Sequence, residues 1–289
     1  MLPEPALAAL HSLPAPFLAT THLTAMGEMS SRLLSDTAVP VVLSLAQLSH
    51  AGGRQVNQDS WGSAQQDDLT CIIVSDGVGG EYGGEIASNV VVHSIMEVFV
   101  EEASFGPRAL QSYVDHAVAQ LYRRQAQIPR LKDMSATVAT LLIDQKNRCA
   151  LWAHMGDTRI YQFRRGQLLN YTKDHSLIQQ FVDAGHCSPD QLRRHPRRSI
   201  LCAAAGVEGS GPAEVMQNAI QIQDGDAFLI CTDGFWEWIS EAEMVRAATQ
   251  AGSAQDWLTI MHTVVEQNGR ASSVPLDNCT AFTIYVGNP

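Results

Sequence analysis

The sequence lacks the features typical of secreted and membrane-spanning proteins. Its six cysteines are scattered without a CxxC pair, so no disulfide framework is needed and a reducing, cytoplasmic setting is favoured. No stretch approaches the roughly 20 apolar residues that a transmembrane helix requires. The first residues have no basic leading region and are interrupted by prolines, and we therefore expect no signal peptide.

Positive charge is also in short supply. The chain carries 19 Lys and Arg residues against 30 Asp and Glu residues, which gives a formal net charge of -11. Because nucleic-acid binding depends on clustered basic side chains that release counterions, we expect no nucleic-acid partner. The basic run RRHPRR, residues 193–198, is an exception, but such a short run is more often a solvated loop than a binding site.

What the sequence does have is enough apolar content for a full core. At 289 residues, of which 45% are hydrophobic, the chain is long enough for one large domain or two small ones. Residues 1–38 are predicted to be a disordered extension, and residues 39–289 are predicted to form a single domain. We expect this domain to be a monomer that makes no membrane contact.

The hydrophobic pattern predicts strands and helices in separate groups. Apolar runs rich in β-branched residues predict strands, and apolar residues at helical spacing predict helices. Tight turns between consecutive strands indicate antiparallel sheets, and helices grouped in pairs indicate the α+β class. The predicted strands cover residues 39–48, 69–76, 137–144, 148–155, 159–163, 168–172, 215–222, 227–233 and 280–286, and the predicted helices cover residues 85–103, 108–127, 240–249 and 255–268.

Aspartates stand at the ends of several of these predicted strands. Asp76 in SDGVGG, Asp157 in HMGDTRIY, Asp233 in CTDGFWEW and Asp277 in LDNCT each lie beside an apolar run. A single aspartate of this kind is most simply a turn former. Several that converge on one sheet edge would repel one another unless cations neutralised them. Carboxylate oxygens with no Cys or His nearby favour Mg²⁺ or Mn²⁺ over zinc.

An arginine upstream of these acids suits phosphate binding. The segment GGRQVNQDS places Arg54 five residues before Asp59, across a glycine-rich turn. A guanidinium binds a phosphate through two parallel hydrogen bonds, and a nearby acid suits a water on a metal. An ordinary surface arginine fits the same segment, so these residues alone leave both interpretations open.

Six motifs occur in the order found in one enzyme family. RQVNQDS, SDGVGG, GDTRIY, TKDHS, CTDGFWEW and DNCT follow one another along the chain. In this order the sequence resembles the PP2C-type (PPM) metal-dependent serine/threonine protein phosphatases, particularly the bacterial branch, over residues 45–286. The resemblance implies a four-layer α/β/β/α sandwich of two antiparallel sheets flanked by helix pairs, with a two-metal site at one end.

The resemblance implies particular ligands for two Mn²⁺ or Mg²⁺ ions. Asp76 would bridge both ions, the Gly77 carbonyl would bind the second, and Asp233 and Asp277 would complete the shell of the first. A third, weaker ion would be held by Asp133, in LKDMSAT, together with Asp233. For Asp133, a turn aspartate exposed to water is the alternative interpretation.

The resemblance also assigns residues around the ions. Arg54 would hold the substrate phosphate, Asp59 would orient the metal-activated water, and Asn278 would sit beside the site. Asp157 would order the hairpin or a water network. Residues 175–210 would form the mobile flap segment of the bacterial enzymes.

Two positions depart from the family pattern. Val78 stands where many eukaryotic relatives carry a histidine, so protonation of the leaving group would fall to a water on the metals. Gln58 replaces an acid, so the second ion would be held mostly through water.

The implied reaction is hydrolysis of phosphoserine and phosphothreonine on proteins. The partner would be a phosphorylated protein of a bacterial Ser/Thr kinase pathway, and pathways that control type VI secretion are among those expected. Two alternatives remain open from the sequence. One is a catalytically weak pseudophosphatase that acts as a binding module, and the other is a phosphoesterase acting on small phosphorylated metabolites.

Overall fold

The computed structural model describes residues 18–19, 39–78, 83–272 and 274–287. Apart from residues 18–19, the predicted extension of residues 1–38 lies outside the described residues, and so do two glycines of SDGVGG, Gly79 and Gly80. The strands are β1 (Leu18–Ala19), β2 (Leu43–His50), β3 (Asp59–Gln66), β4 (Leu69–Val78), β5 (Ser135–Ala136), β6 (Val138–Asp144), β7 (Cys149–Met155), β8 (Arg159–Arg164), β9 (Gln167–Tyr171), β10 (Glu214–Val215), β11 (Ile220–Gln221), β12 (Asp226–Cys231) and β13 (Cys279–Val286). The helices are α1 (Gly84–Glu101), α2 (Pro107–Gln127), α3 (Leu177–Asp183), α4 (Pro189–Leu192), α5 (Asp233–Trp236), α6 (Glu241–Gln250) and α7 (Ala254–Arg270).

The strands form two sheets. The first sheet has the spatial order β1-β3-β4-β6-β7-β10, with β5 paired to β4 and β11 paired to β7. The second sheet has the order β2-β13-β12-β8-β9. Pairing is antiparallel throughout, except that β1 runs parallel to β3. The last strand, β13, therefore lies inside its sheet between β2 and β12.

The side-chain alternation of β4 shows how the layers are built. Cys71 and Ile73 pack into the core beneath α1 and α2, whereas Ile72 and Val74 pack into the core between the two sheets. This follows from the period of two along a strand, which points neighbouring side chains to opposite faces. On the far side, α6 and α7 cover the second sheet. The predicted α+β class and the four-layer α/β/β/α sandwich are confirmed.

The structure corrects some of the predicted elements. Residues 59–66, which the pattern did not predict as a strand, form β3 beside β4. The strand predicted at residues 215–222 is instead two short pairings, β10 and β11, both along β7. The strand predicted at residues 39–48 begins at Leu43 and runs on to His50.

One end of the two sheets gathers the connections that carry the sequence motifs. The segment between β2 and β3, the end of β4, the β7–β8 turn, the β12–α5 junction and the start of β13 all contribute to one cavity there. Among the described residues, no helix combines the length and the apolarity that crossing a bilayer requires.

Candidate active site

An acidic cavity of about 490 Å³ lies at this end of the sandwich. It brings together residues that are far apart in the sequence. Its lining residues are Arg54, Val56, Gln58, Asp76, Gly77, Val78, Asp157, Ser199, Leu201, Asp233, Asp277 and Asn278. Seven of the nine site residues predicted from the sequence are in this set, and the two outside it are Asp59 and Asp133.

Asp59 lies directly behind the cavity. It is the register partner of Asp76 across the β3–β4 pair, and it is 7% exposed. Its Oδ2 accepts a hydrogen bond of 2.9 Å from the Thr232 hydroxyl, while its buried Oδ1 has no partner among the described residues. Burial raises the pKa of Asp59 to about 7, although the hydroxyls of Thr280 and Thr232 oppose that rise.

The two central carboxylates carry the strongest electrostatic strain. Burial raises the pKa of Asp76 well above its usual range, and the charges of Asp59 and Asp233 raise it further. Burial likewise raises the pKa of Asp233, with Asp157 as the strongest charged neighbour. Acids that repel one another in a buried place are stable in charged form only with cations among them.

The donor set of the cavity fits hard divalent cations. The available ligands are carboxylate oxygens and a backbone carbonyl, which are the oxygen donors that Mg²⁺ and Mn²⁺ prefer. The unpartnered Oδ1 of Asp59 is a further free acceptor at the back of the site. The residues present therefore fit the ions that the sequence predicts.

Glycines allow the backbone to close tightly around the acids. A Cβ atom on Gly77 would collide with the backbone of Gly84 at the start of α1, and a Cβ atom on Gly234 would collide with the carbonyl of Asn278. The DG pairs of the sequence are thus needed for close approach of neighbouring chain segments, in addition to any role of the Gly77 carbonyl.

Arg54 stands at the rim of the cavity and is paired with an acid. Its Nη2 donates a 2.7 Å hydrogen bond to Oδ2 of Asp277, and both side chains are largely exposed, at 59% and 42%. This contact raises the pKa of Arg54. Because an exposed ion pair is weak, Arg54 can leave Asp277 at little cost.

Asn278 organises the segment that carries Arg54. Its Oδ1 accepts a hydrogen bond from the backbone N–H of Gln58 at 2.8 Å, and its Nδ2 donates to the carbonyls of Ala51 and Val56. The sequence predicted only that Asn278 would sit beside the site. The structure shows that its amide joins the start of β13 to the segment between β2 and β3.

Asp157 is buried at the turn between β7 and β8. Burial raises its pKa to about 7, with a further contribution from the charge of Asp174. Its backbone carbonyl accepts a 2.9 Å hydrogen bond from Nε1 of Trp236. The sequence predicted that Asp157 would order the hairpin or a water network, and its carboxylate also adds charge to the acidic cavity.

Threonines hold the acids in place, and the sequence analysis did not find them. The Thr137 hydroxyl accepts a hydrogen bond from the backbone N–H of Asp76 at 2.8 Å and lies 2.6 Å from the Thr158 hydroxyl. The Thr232 hydroxyl, next to β12 of the second sheet, instead donates a hydrogen bond to the Asp59 carboxylate. The sequence signal was their position directly beside strand-end acids, but isolated threonines are too common to be singled out on that basis.

Comparison with known proteins assigns this arrangement to a family. The family model described as Protein phosphatase 2C matches residues 46–274. The chain belongs to the protein phosphatase 2C family. The resemblance inferred from the six motifs is therefore confirmed.

Individual relatives agree with this assignment. The protein named serine/threonine phosphatase stp from Listeria innocua is 28% identical over 197 residues, which cover 66% of this chain and 77% of that protein. The crystal structure of the Mycobacterium tuberculosis serine/threonine phosphatase PstP/Ppp has a TM-score of 0.73 at 25% identity, covering 86% of this chain and 100% of that one. PppA, a key regulatory component of T6SS in Pseudomonas aeruginosa, has a TM-score of 0.66 at 24% identity over 86% of this chain and 99% of that one, a likeness of fold alone.

Asp133 does not line the acidic cavity. It lines a different cavity, together with Tyr122, Lys132 and the segment 206–208. Its side chain is 87% exposed, and one carboxylate oxygen lies 3.9 Å from the Lys132 ammonium. A role for Asp133 in a third ion site stays a prediction.

Two histidines lie beside the cavity without forming a second metal site. Potential ligand atoms of His154, His175 and Glu214 fall within 4.8 Å of one another. However, the two rings are stacked, with centroids 4.6 Å apart and an angle of 21° between their planes. Imidazole lone pairs lie in the ring plane, so stacked rings cannot direct them at one ion. Nε2 of His154 already donates to the carbonyl of Lys173 at 2.8 Å. We interpret the pair as packing between β7 and the flap entry.

Proposed function

We propose that this chain hydrolyses phosphoserine and phosphothreonine on proteins, using a binuclear Mn²⁺ or Mg²⁺ centre. The observation that carries the proposal is the convergence of Asp76, Asp233 and Asp277 in one cavity, with Asp59 behind them and Arg54 at the rim. The serine/threonine phosphatases among the relatives support the substrate class.

The proposed ion ligands are the residues that the sequence predicts. Asp76 would bind both ions, the Gly77 carbonyl would bind the second, and Asp233 and Asp277 would complete the ligands of the first. When bound, the ions would neutralise phosphoryl charge and supply a nucleophilic water at neutral pH. The raised pKa values of Asp76 and Asp233 support this assignment, because both acids need positive charge nearby to ionise.

The chain's own residues would bind the phosphate and manage protons. Arg54 would leave Asp277 and bind the phosphate through two parallel hydrogen bonds from its guanidinium. Asp59 has a free Oδ1 and a second oxygen fixed by Thr232, so it can orient a water or accept its proton. Val78 occupies the position after the first DG pair and offers no proton for the leaving alkoxide.

The proposed partner is a phosphorylated protein of a Ser/Thr kinase pathway, and the proposed setting is the cytoplasm. The six cysteines are free, four of them buried, which suits a reducing compartment. A link to type VI secretion stays a prediction.

Phosphate release from a phosphothreonine peptide tests this proposal directly. We expect Mn²⁺-dependent release by the parent and almost none by Asp76→Asn. The matched control is Asp115→Asn, which changes an exposed acid on α2 and is expected to match the parent. Mn²⁺ binding without turnover would instead indicate the pseudophosphatase alternative. Turnover of small phosphorylated metabolites but of no phosphopeptide would indicate the metabolite phosphoesterase.

A further inference from the structure

The basic run at residues 193–198 lines a second cavity beside the acidic one. This cavity of about 710 Å³ is lined on the flap side by Arg193, Arg194 and Arg198. Ser199 and Leu201 of the same segment line the acidic cavity. Because consecutive Cα atoms are only about 3.8 Å apart, residues 198–199 form a wall between the two cavities. The charges of Asp233 and Asp277 also act on Arg198, which agrees with this short separation. We call the second cavity the arginine pocket.

Contacts with neighbouring residues anchor the run at both ends. Leu192, which precedes it, is 6% exposed in the core beneath the second sheet. The next residue, Arg193, donates through Nε to the Trp236 carbonyl at 2.9 Å and through Nη2 to Glu241 at 2.6 Å. At the other end, the carbonyl of Ile200 accepts a hydrogen bond from the N–H of Leu177.

The acids that line the arginine pocket are already engaged. Glu237 forms an ion pair with Arg198, and its side chain is 8% exposed. The carboxylate of Glu243 accepts hydrogen bonds from the backbone N–H and the hydroxyl of Ser240 at the start of α6. The charge of Glu237 is therefore balanced by Arg198, and the charge of Glu243 acts on Arg246 and Arg193.

Two arginines of the run have no such compensation. Arg194 lines the arginine pocket, whereas Arg197 is outside its lining and directly precedes the lining residue Arg198. The side chains of Arg194 and Arg197 are exposed, and neither makes a hydrogen bond or an ion pair with any residue that the structure describes. Their positive charge stands on a chain whose formal net charge is -11. A local basic patch next to a phosphate-binding cavity attracts ligands that carry more than one negative charge.

We propose that the arginine pocket, together with the adjoining Arg197, binds an anionic side chain of the phosphoprotein substrate, a few residues from the phosphorylated one. The inference rests on the proposed phosphatase function. A guanidinium binds carboxylates and phosphates through the same pair of parallel hydrogen bonds. Either a Glu or a second phosphorylated residue could therefore supply the anionic side chain. An extended peptide advances about 3.3 to 3.6 Å per residue, which allows one peptide to reach both adjoining cavities.

The test compares three phosphothreonine peptides that differ at one position, three residues from the phosphothreonine. That position holds Gln, Glu or a non-hydrolysable phosphonate analogue of phosphoserine. For the parent with Mn²⁺, we expect kcat/KM for either anionic peptide to exceed that for the Gln peptide about fivefold. The double variant Arg194→Ala/Arg197→Ala should bring this ratio close to one. The control Arg123→Ala, an exposed arginine on α2, should keep the parent ratio.

Added salt provides a second readout, because it screens exposed charges. The ratio of the parent should fall as NaCl rises from 0.05 to about 0.5 M, while that of the double variant should stay flat. Whichever anionic peptide, Glu or phosphonate, gives the larger increase in kcat/KM over the Gln peptide shows whether a carboxylate or a phosphate is the better ligand. A parent ratio near one, or an unchanged ratio in the double variant, would overturn the inference while the proposed function stands. Failure to hydrolyse any peptide, the Gln peptide included, would overturn both.

Discussion

Asp76 is subject to two opposed requirements. As a proposed metal ligand its side chain must be charged, yet burial and neighbouring acids raise its pKa well above the usual range. In the metal-free chain its ionisation therefore destabilises the folded state. Asp233 is in the same position. Such strain at a site is a common cost of function, and removing it stabilises the protein.

This conflict predicts that Asp76→Asn stabilises the metal-free protein while it removes activity. At pH 8 in EDTA, we expect the free energy of unfolding to rise by about 1–2 kcal/mol, because a buried repulsion is lost. The stabilisation by Mn²⁺ should disappear together with turnover of a phosphopeptide. Urea unfolding and thermal shift measure these effects, with Asp115→Asn as the control. A variant that keeps the parent's Mn²⁺ stabilisation would show that Asp76 is not an essential ligand.

Arg54 should behave differently, since its proposed ligand is the substrate phosphate rather than a cation. Arg54→Ala is expected to raise KM for a phosphopeptide and to cost about 2 kcal/mol in transition-state stabilisation, or about 30-fold in kcat/KM. Its ion pair with Asp277 is exposed, so the melting temperature should hardly change. Arg148→Ala, which breaks the exposed pair with Asp224, is the control for loss of a surface arginine. An unchanged kcat/KM would remove Arg54 from the site.

At the scale of elements, a buried cation joins the β8 hairpin to α5. Arg159, at the start of β8, donates two hydrogen bonds of 2.7 and 2.8 Å to Asp174, and the two side chains are 4% and 1% exposed. Its guanidinium carbon lies 3.5 Å from the centroid of the Trp236 ring. The same indole donates to the Asp157 carbonyl at the edge of the acidic cavity. Arg159 thus contributes both to the packing of α5 and, through Trp236, to the position of Asp157 at the site.

We expect Arg159→Lys to lower the free energy of unfolding by about 3 kcal/mol. Lysine keeps the charge, but it cannot make the bidentate contact or stack on Trp236, and Asp174 remains buried with a poorer partner. Urea unfolding in EDTA measures the loss. The exposed Arg148 provides the comparison, since Arg148→Lys should change stability by less than about 0.5 kcal/mol. Equal effects of the two substitutions would contradict this account.

The elements that the sequence predicted are apolar runs rich in β-branched residues and segments with one apolar helical face. Both helix pairs and the strands β4, β6, β7, β8, β12 and β13 belong to this class. The strand β3 was missed because DSWGSAQQ is rich in polar and small residues, and it is held by β4 and by α1 packing on it rather than by its own propensity. The run at residues 215–222 was predicted as one strand, but it pairs with β7 at two separate points.

At the scale of the whole molecule, the acidic cavity makes stability depend on pH and on metal. The pKa values of Asp59 and Asp157 are raised from an ordinary value of 3.8 to about 7. Between these values the unfolded chain has released protons that the folded chain still holds. Stability of the metal-free protein due to these groups therefore falls as pH rises from about 4 to about 7. The lowered pKa of His154 acts in the opposite sense below its ordinary value of 6.5.

We therefore expect the melting temperature in EDTA to be higher at pH 5.5 than at pH 8, by about 5 °C. With saturating Mn²⁺ the order should reverse, because cation binding needs deprotonated carboxylates. Asp59→Asn should flatten the dependence in EDTA, which separates the acid cluster from His154. A melting temperature in EDTA that is independent of pH, or a slope that Asp59→Asn leaves unchanged, would contradict the prediction.

How the site residues meet was only partly visible in the sequence. Strand-end acids indicated a cation site, and the motif order indicated the family, because both signals are local. The pairing of Arg54 with Asp277, the Thr232 contact to Asp59 and the bridging amide of Asn278 join segments roughly 170 to 230 residues apart. Contacts across that separation depend on how the two sheets pack together, and a local sequence pattern does not predict that packing. Asp133 is the reverse case. The family resemblance predicted it at an ion site with Asp233, whereas the structure places it in the lining of a different cavity.

The interior position of β13 determines when the second sheet can be completed during synthesis of the chain. Residues 277–278 enter the cavity just before this strand, and the strand itself fills the space between β2 and β12. A chain still growing on the ribosome can form the first sheet with α1 and α2, but the second sheet stays split until residue 286 has emerged. Nascent chains therefore cannot carry a complete acidic cavity. Chains that stop before residue 286 would therefore add no activity in the cell, however many of them accumulate.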